Sequence, residues 1–344
     1  MVIIRRHSPT AHAAYHDLIS LLLDEVISDL RGTPTLRELG GKRYWYDRYR
    51  LGTQIKEHYL GEDTSELRER IERHERIRAE QKTRRKTRAR LVRLLRSERF
   101  LGLDATTGSL VGAMAKAGTF RLGGIIVGTT AFRLYEGELG LRLSLDQAAM
   151  TQDVDIASFE KLSLALGDSV ESNLAGVFSE LRFAPVPEVR STKVWRWRQS
   201  DGEALVEFLT PSFSEDEGLR DLAALGVSAR ALHHLNYLIA EPINAAAVYR
   251  EGLLVKIPRP ERFAIHKLIV ASRRLDGPDS LKARKDLRQA EILAAILAED
   301  RPADLADAYE DALTRGPKWK MRIEESLNRA PSIGECIHRA RGAV

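Results

Sequence analysis

The amino-acid sequence predicts an α+β protein, in which a mixed sheet is flanked by helices. Short apolar runs with strand-like patterns intermix with helical stretches between residues 101 and 215, which favours a sheet covered by helices. Helical patterns dominate on both sides of this region. The 344 residues therefore divide into a helical arm with a short hairpin (1–100), a mixed core (101–215) and a mostly helical region (216–344), at roughly 100 to 200 residues per domain.

The composition is that of a folded protein without disulfide chemistry. With 43% hydrophobic residues, the chain is not a disordered polymer. Its one cysteine, Cys336, excludes an internal disulfide, a CxxC redox pair and a cysteine-based zinc site. No apolar stretch approaches the roughly 18 residues of a membrane span, and the N-terminus shows no signal-peptide cleavage pattern. We expect a cytoplasmic protein that makes no membrane contact.

The positive charge is concentrated in one segment. Residues 64–100 contain 14 Lys plus Arg against 6 Glu, or +8, whereas the whole chain carries +5. The segment has no Gly or Pro and consists of good helix formers, which predicts one long helix. Between positions 78 and 90 its cations predict either a strip that binds RNA or tRNA phosphates or a solvated helix face. These cations are Lys82, Arg84, Arg85, Lys86, Arg88 and Arg90.

The arm also contains a predicted helix and a predicted hairpin. Apolar residues recur at helical spacing over 11–31, and Gly and Pro interrupt the pattern at 32–41. Residues 43–49 and 53–60 alternate around Leu51-Gly52, which indicates a hairpin. Its aromatic residues, Tyr44, Tyr46 and Tyr49, either stack on nucleic-acid bases or pack the hairpin against a helix.

In the core, the order of elements is strand, glycine turn and helix. The apolar run 122–127 ends at Gly128-Thr129-Thr130, before a helix over 131–139. Asp201-Gly202 predicts a tight hairpin turn. The other predicted strands are 151–156, 193–198, 204–209 and 253–257, and the other predicted helices are 159–166, 170–181, 261–273 and 282–297. Apart from strand 253–257, we expect the chain after Pro211 to be mostly helical.

Acidic residues on two of these strands are the candidates for chemistry. On a strand, residues two apart share a face at roughly 6.5 to 7 Å, so Asp153 and Asp155 can bind one divalent metal ion. Glu207 lies in the middle of an apolar strand and requires a partner. That partner is either a metal ion, a substrate hydroxyl, or Arg196 or Arg198 across the hairpin.

The glycine turn adds a candidate phosphate site. Free backbone N–H groups at a helix N-terminus bind phosphate, and Gly128 allows a close approach while the hydroxyls of Thr129 and Thr130 can donate. Together with the three carboxylates, this turn predicts a site for a nucleoside triphosphate and Mg²⁺ or Mn²⁺.

These residues resemble the signature of the nucleotidyltransferase superfamily of the DNA polymerase beta type, which is hG[GS], DxD and a third carboxylate. The runs IIVGTTAFRLYE, TQDVDI, VEFLTP, RPERFAIHKLIV and KARKDLRQAEIL are similar to a bacterial nucleotidyltransferase-fold group with a helical N-terminal arm. Two positions depart from the superfamily pattern, since Thr129 replaces Ser or Gly and Glu207 replaces Asp. The long interval between the turn and the DxD pair also implies an inserted loop at 139–150.

The resemblance implies a reaction and a role for each residue. Asp153 and Asp155 would hold two metal ions, Glu207 would bind the second metal or orient the attacking hydroxyl, and Gly128 and Thr129 would hold the β and γ phosphates. By position, Lys267 and Asp286 complete the site, in which Lys267 would neutralise phosphate and Asp286 would orient Lys267. The alternative is that the two residues form only an interhelical salt bridge. We interpret His266, alone on an apolar helix, as structural.

Three functions fit this sequence. The first is transfer of a nucleotidyl group, for example from ATP, to a hydroxyl of RNA or protein, with release of pyrophosphate. The second is a non-catalytic nucleic-acid-binding protein on the same fold. The third is a toxin-like enzyme that modifies tRNA and is restrained by a protein partner.

Overall fold

A computed structural model of the protein describes residues 5–26, 30, 32–51, 54–144, 153–165, 168–170, 173–188, 191–213, 217–274 and 280–343. The arm contains α1 (Pro9–Val26), β1 (Thr33–Leu39), β2 (Lys42–Leu51), β3 (Gln54–Glu62) and α2 (Ser65–Ser97). The core contains α3 (Ala105–Ala117), β4 (Ile125–Val127), α4 (Gly128–Glu138), β5 (Val154–Ala157), α5 (Glu160–Ala165), α6 (Leu174–Glu180), β6 (Phe183–Pro185), β7 (Arg196–Gln199) and β8 (Leu205–Ser212).

The rest of the chain adds further strands and a series of helices. The strands are β9 (Leu219–Leu222), β10 (Val227–His233), β11 (Ile243–Ala247) and β12 (Leu253–Ile257). The helices are α7 (Leu235–Leu238), α8 (Pro260–Arg274), α9 (Ser280–Asp300), α10 (Pro302–Thr314), α11 (Pro317–Arg329) and α12 (Pro331–Gly342). No helix in these described ranges is long and apolar enough to cross a membrane.

The arm confirms the predicted long helix. α2 runs for 33 residues, and the Thr64 hydroxyl accepts a hydrogen bond from the Leu67 N–H at 3.3 Å, which caps the helix N-terminus. Toward its C-terminal end, Val92 and Leu95 are buried against α1 in a cluster that includes Leu18. This apolar contact attaches the C-terminal end of the helix to the rest of the protein.

A small antiparallel sheet precedes α2. The predicted hairpin is confirmed as β2 and β3, and β1 is an additional strand paired with β2. Gly40 and Gly41 form the turn between β1 and β2 with φ of 59° and 77°, values that glycine adopts without a steric penalty. Trp45 contacts a small cluster that contains Leu67 of α2, so one face of the sheet packs on the long helix.

The central sheet is mixed, and the α+β class is confirmed. Its strands lie in the order β4-β5-β8-β10-β9, and β6 and β7 join through the β7–β8 pair. β5, β8 and β10 run parallel to one another, whereas β4 is antiparallel to β5. The hairpin predicted around Asp201-Gly202 is confirmed as the antiparallel pair β7–β8.

The prediction that the chain is mostly helical after Pro211 is wrong for residues 219–233 and 243–247, whereas the strand predicted at 253–257 is confirmed as β12. β9 and β10 continue the central sheet, so the predicted boundary between residues 215 and 216 falls inside that sheet. β11 pairs with β12 in a separate hairpin. The strand over Ile243–Ala247 is alanine-rich, which favours a helix, and its last three residues are buried. Packing against the rest of the protein therefore outweighs the local preference for a helix.

The helices that follow are close to the predicted bounds. α8 and α9 begin and end within a few residues of the predictions 261–273 and 282–297. Phe263 of α8 stacks near Phe132 of α4, with ring centroids 6.3 Å apart, which joins the last helices to the core. Residues 145–150 of the predicted insertion at 139–150 lie outside the described residues, as do Thr151 and Gln152 of the predicted strand 151–156.

Candidate functional site

The glycine turn lies directly against a carboxylate. β4 ends at Val127, which pairs with Asp155 of β5, and α4 begins at Gly128 with a φ of +65°. A Cβ atom at position 128 would lie 2.3 Å from the Asp155 Oδ2 atom, so only glycine fits here. Val127 supplies no side-chain cap to α4, so the first backbone N–H groups of the helix are available to an anion.

Asp155 and Glu207 are neighbours across parallel strands. The two residues are register partners in the β5–β8 pair, so their side chains share one face of the sheet. The residues that flank them, Val154, Ile156 and Phe208 among them, are fully buried on the opposite face. The apolar alternation of the two strands therefore fixes where both carboxyl groups point.

Asp153 completes the group of acids predicted from the sequence. It lies just before β5 and is exposed, and its backbone carbonyl accepts a hydrogen bond from the Thr130 hydroxyl at 2.9 Å. Its charge raises the pKa values of both Asp155 and Glu207. The structure therefore brings the three predicted acids and the glycine turn to one end of β5.

Burial and mutual repulsion disfavour the charged form of these acids. The pKa of Asp155 rises to about 7, first through burial and then through the charges of Glu207 and Asp153. Burial is also the main cause that raises the pKa of Glu207, and Arg196 acts against it. Within the described part of the chain, Glu207 forms no ion pair with Arg196 or Arg198, although Arg196 is its cross-strand neighbour.

The carboxyl groups of these three acids are chemically suitable ligands for a divalent cation. Among the described residues, no three His, Cys, Asp or Glu side chains are placed as a ready-made metal cluster. Carboxylate oxygens are nevertheless the ligands that Mg²⁺ and Mn²⁺ prefer. A cation between Asp153, Asp155 and Glu207 would also relieve the repulsion that raises the pKa of Asp155. The residues present therefore fit a metal ion after side-chain adjustment.

Lys267 and Asp286 form the predicted contact between α8 and α9. The Lys267 Nζ atom donates to Asp286 Oδ1 at 2.5 Å, and both side chains are almost fully buried. Arg274, two turns after Lys267, donates to the other oxygen of Asp286. The interhelical salt bridge is therefore present. Lys267 and Arg274 also line one cavity with Asp155, and their charges act to lower its pKa.

A cavity of about 330 Å³ lies between the glycine turn and α8, and we call it the site cavity. Its lining includes Gly128, Asp155, Leu209, His266, Lys267 and Arg274. His266 is buried, and burial, followed by the charge of Lys267, lowers its pKa well below the ordinary value. The cavity thus brings together the Asp155 carboxyl group, the cations Lys267 and Arg274, and the helix N-terminus at Gly128.

Two basic residues of this site were not assigned from the sequence. Burial lowers the pKa of Lys285, and the charges of Asp153 and Asp155 act in the opposite direction, so this lysine lies near the acids. Arg274 lies seven residues after Lys267, which places both on one helix face. That spacing would have allowed Arg274 to be predicted from the sequence. Lys285 could not be predicted in this way, because its position near the acids depends on how α9 packs.

The basic segment of α2 divides into paired and exposed cations. Arg84 contacts Asp24 at 3.0 Å, Arg85 contacts Glu251 at 2.8 Å, and Arg88 is buried. Lys82, Lys86 and Arg90 are exposed and follow one another at four-residue intervals on one helix face. We call these three residues the basic stripe.

Two segments of the chain match known protein families. Residues 105–314 match the sequence profile of a family described as nucleotidyltransferase. Residues 12–69 match a second family, described as a domain of unknown function. No curated protein matches the chain. A crystal structure of an antigenic nucleotidyltransferase-like protein from Paracoccidioides brasiliensis is similar at 15% identity and a TM-score of 0.33, covering 65% of this chain and 95% of that one.

The first match includes the whole site. Gly128, Asp153, Asp155, Glu207 and the Lys267–Asp286 pair all lie within residues 105–314. The matched segment is more than half of the 344 residues. The chain therefore belongs to the nucleotidyltransferase family.

Proposed function

We propose that the protein moves a nucleotidyl group from a nucleoside triphosphate to a hydroxyl on RNA or protein, with release of pyrophosphate, in a reaction that depends on Mg²⁺ or Mn²⁺. One observation carries the proposal: Asp155 lies between the Gly128 backbone and Glu207, and Lys267 lines the same cavity. Acids that hold a metal, donors that hold phosphates and a cation that neutralises charge are the parts that phosphoryl transfer needs.

Each side chain has a defined task in this proposal. Asp153, Asp155 and Glu207 would hold the metal ions, which neutralise charge on the triphosphate. The N–H groups at the start of α4, from Gly128 and Thr129, would bind the terminal phosphates. Lys267 would contact phosphate as a point charge while Asp286 positions it.

Glu207 has the geometry to orient the acceptor. It shares the sheet face of Asp155 and, among the described residues, carries no ion pair to the neighbouring arginines, so its carboxylate is available to a metal ion or to the attacking hydroxyl. Holding the hydroxyl in line with the α-phosphate is the main catalytic contribution expected of such a residue. The relationship to enzymes of the DNA polymerase beta type is part of this proposal and rests on the shared motif.

A second candidate function is supported by the basic stripe. Its exposed cations suit a nucleic-acid backbone, and a protein that only binds nucleic acid would need nothing more. A toxin-like enzyme acting on tRNA would use both the stripe and the site, with a protein partner restraining it. That version predicts growth arrest on expression, and Asp153→Ala abolishes the arrest.

The test is incorporation of label from α-labelled ATP, GTP, CTP and UTP into total RNA or lysate protein. The wild-type protein is compared with Asp155→Asn and Asp153→Ala. Asp201→Asn serves as a control, because Asp201 lies in an exposed turn and pairs with Arg182 at 2.8 Å. We expect labelling by the wild type and the control alone. Labelling that survives Asp155→Asn would contradict the proposal.

A further inference from the structure

A second, larger cavity adjoins the site cavity. It has a volume of about 850 Å³, and His233 and Arg273 line both cavities. We call it the distal cavity and define it by Phe213, His234, Arg273, Trp319 and Arg322. Because the two cavities share a wall, one extended ligand can occupy both.

The distal cavity is cationic. Arg273 and Arg315 line the cavity, and each forms an ion pair. Arg273 contacts Glu217 at 3.0 Å, and Arg315 contacts Asp311 at 3.1 Å. Arg322 forms no ion pair within the described part of the chain, and its Nε atom is buried without a hydrogen-bond partner there. A positive side chain in this state is suited to bind an anion that enters the cavity.

The helix that carries Arg322 also faces the cavity with its N-terminus. α11 begins at Pro317, and Gly316, Pro317 and Lys318 all line the distal cavity. The residue at the N-cap, Gly316, has no side chain with which to cap the helix. The helix dipole therefore adds to the charge of Arg322. Burial and then the cationic surroundings, Arg273 first, lower the pKa of His234 to about 4, in keeping with a positive potential.

Aromatic rings line the same cavity. Phe213 is 72% exposed at the wall of this cavity. The rings of His234 and Trp319 lie 4.5 Å apart in an edge-to-face contact. An exposed aromatic ring beside cations is typical of sites for single-stranded nucleic acid, in which bases stack and phosphates are neutralised.

The position of Phe213 indicates the size of the ligand. It follows directly after β8, the strand that carries Glu207. The six-residue separation corresponds to about 20 Å along an extended chain. A ligand that spans the acids and Phe213 is therefore a chain of several units and not one compact nucleotide.

We infer that the distal cavity binds the single-stranded end of a nucleic-acid acceptor, with a phosphate at Arg322 and a base against Phe213. An acidic peptide would use the cations but has no general need of an exposed aromatic ring. The inference rests on the proposed function, because the acceptor hydroxyl must reach Asp155 in the adjoining site cavity and the two acids beside it. It narrows the acceptor from RNA or protein to a nucleic acid.

The test measures binding and does not require turnover. Fluorescence anisotropy is followed with a labelled single-stranded RNA of about 12 nucleotides, without triphosphate, over a series of salt concentrations. Arg322→Gln removes one phosphate contact, so the slope of log affinity against log salt falls by about 0.7. Phe213→Ala weakens binding at least about fivefold, and Phe213→Leu, which keeps apolar volume without the ring, gives a similar loss.

Arg329→Gln is the matched control, since Arg329 lies on the same helix but does not line the cavity. Arg322→Lys should keep the salt slope of the wild type. Equal binding by wild type and Arg322→Gln overturns the inference, as does labelling of protein alone in the transfer assay. The protein could instead bind RNA in a manner that depends on Arg322 and Phe213 and yet show no transferase activity. That result would support the RNA site in the distal cavity and refute the proposed function.

Discussion

The backbone of Gly128 lies against the carboxylate of Asp155, so closely that a Cβ atom at position 128 would be 2.3 Å from Asp155 Oδ2. Gly128→Ala should therefore push Asp155 out of place and also strain a backbone with a φ of +65°. We expect at least a hundredfold loss of transfer activity and a loss of about 1 to 2 kcal/mol in unfolding free energy, measured by labelling and urea denaturation.

Gly334→Ala is the control for that substitution. Gly334 lies in α12, and a Cβ atom there meets nothing within 4 Å. Alanine at this helical position should stabilise the protein by about 0.5 to 1 kcal/mol and leave activity unchanged. If Gly128→Ala behaved like this control, the close approach of the turn to Asp155 would have no role in the reaction.

Asp155→Asn should stabilise the metal-free protein while it abolishes transfer. The pKa of Asp155 in the folded protein is about 7, above the ordinary value of 3.8. The folded state therefore binds this proton more tightly, and stability falls as the pH rises from about 4 to 7. At about pH 8 the neutral amide should raise the unfolding free energy by on the order of 1 to 3 kcal/mol in EDTA. A destabilised variant would argue against crowded negative charge at this position.

The same raised pKa predicts that metal binding depends on pH. Mn²⁺ must displace the proton of Asp155, so its apparent affinity should weaken up to about tenfold for each pH unit below 7. Calorimetric titration of the wild type between about pH 5.5 and 8 measures this slope. Asp155→Asn should bind Mn²⁺ weakly at every pH. An affinity that stays constant across this range would remove Asp155 from the set of metal ligands.

Much of the site could be predicted because it is built from local sequence patterns. A glycine turn before a helix and acids on short apolar strands are visible in the chain, and the register of β5 and β8 then brings Asp155 beside Glu207. Lys267 and Asp286 could be named only through the family resemblance, because nothing local shows that α8 and α9 pair them at 2.5 Å. Lys285 depends on the same helix packing and was not assigned.

The strands after Pro211 show where local patterns fail. β10 pairs with β8 and β9, and its stability comes from partners in other strands rather than from its own sequence pattern. In β11, three consecutive buried alanines carry no strand-like alternation. β1 was missed for a different reason, since the Gly40-Gly41 pair was interpreted as a break although two glycines are a strong signal for a hairpin turn.

Asp286→Asn should separate the structural and catalytic roles of Lys267. The substitution leaves Lys267 and Arg274 facing each other without their shared carboxylate, so we expect a loss of about 3 kcal/mol in unfolding free energy. Asp311→Asn, at a more exposed carboxylate shared by Arg262 and Arg315, should cost less than about 1 kcal/mol.

Lys267→Met, alone and combined with Asp286→Asn, completes a double-mutant cycle for this pair. The double variant should recover part of the stability that Asp286→Asn removes, because one uncompensated cation is gone. It should nevertheless remain inactive if Lys267 contacts phosphate. Transfer activity in the double variant would show that the Lys267–Asp286 contact is a structural salt bridge alone.

The basic stripe on α2 should contribute to nucleic-acid affinity through charge alone. Lys82, Lys86 and Arg90 are exposed on one helix face, so changing all three to Gln should weaken RNA binding and reduce the slope of log affinity against log salt by about 0.7 for each phosphate that the stripe neutralises. Anisotropy with single-stranded RNA measures both effects. Arg73→Gln, on another face of the same helix, should change neither strongly. If the stripe variant kept the wild-type slope, the stripe would be a solvated helix face, and nucleic-acid binding without catalysis would lose its support.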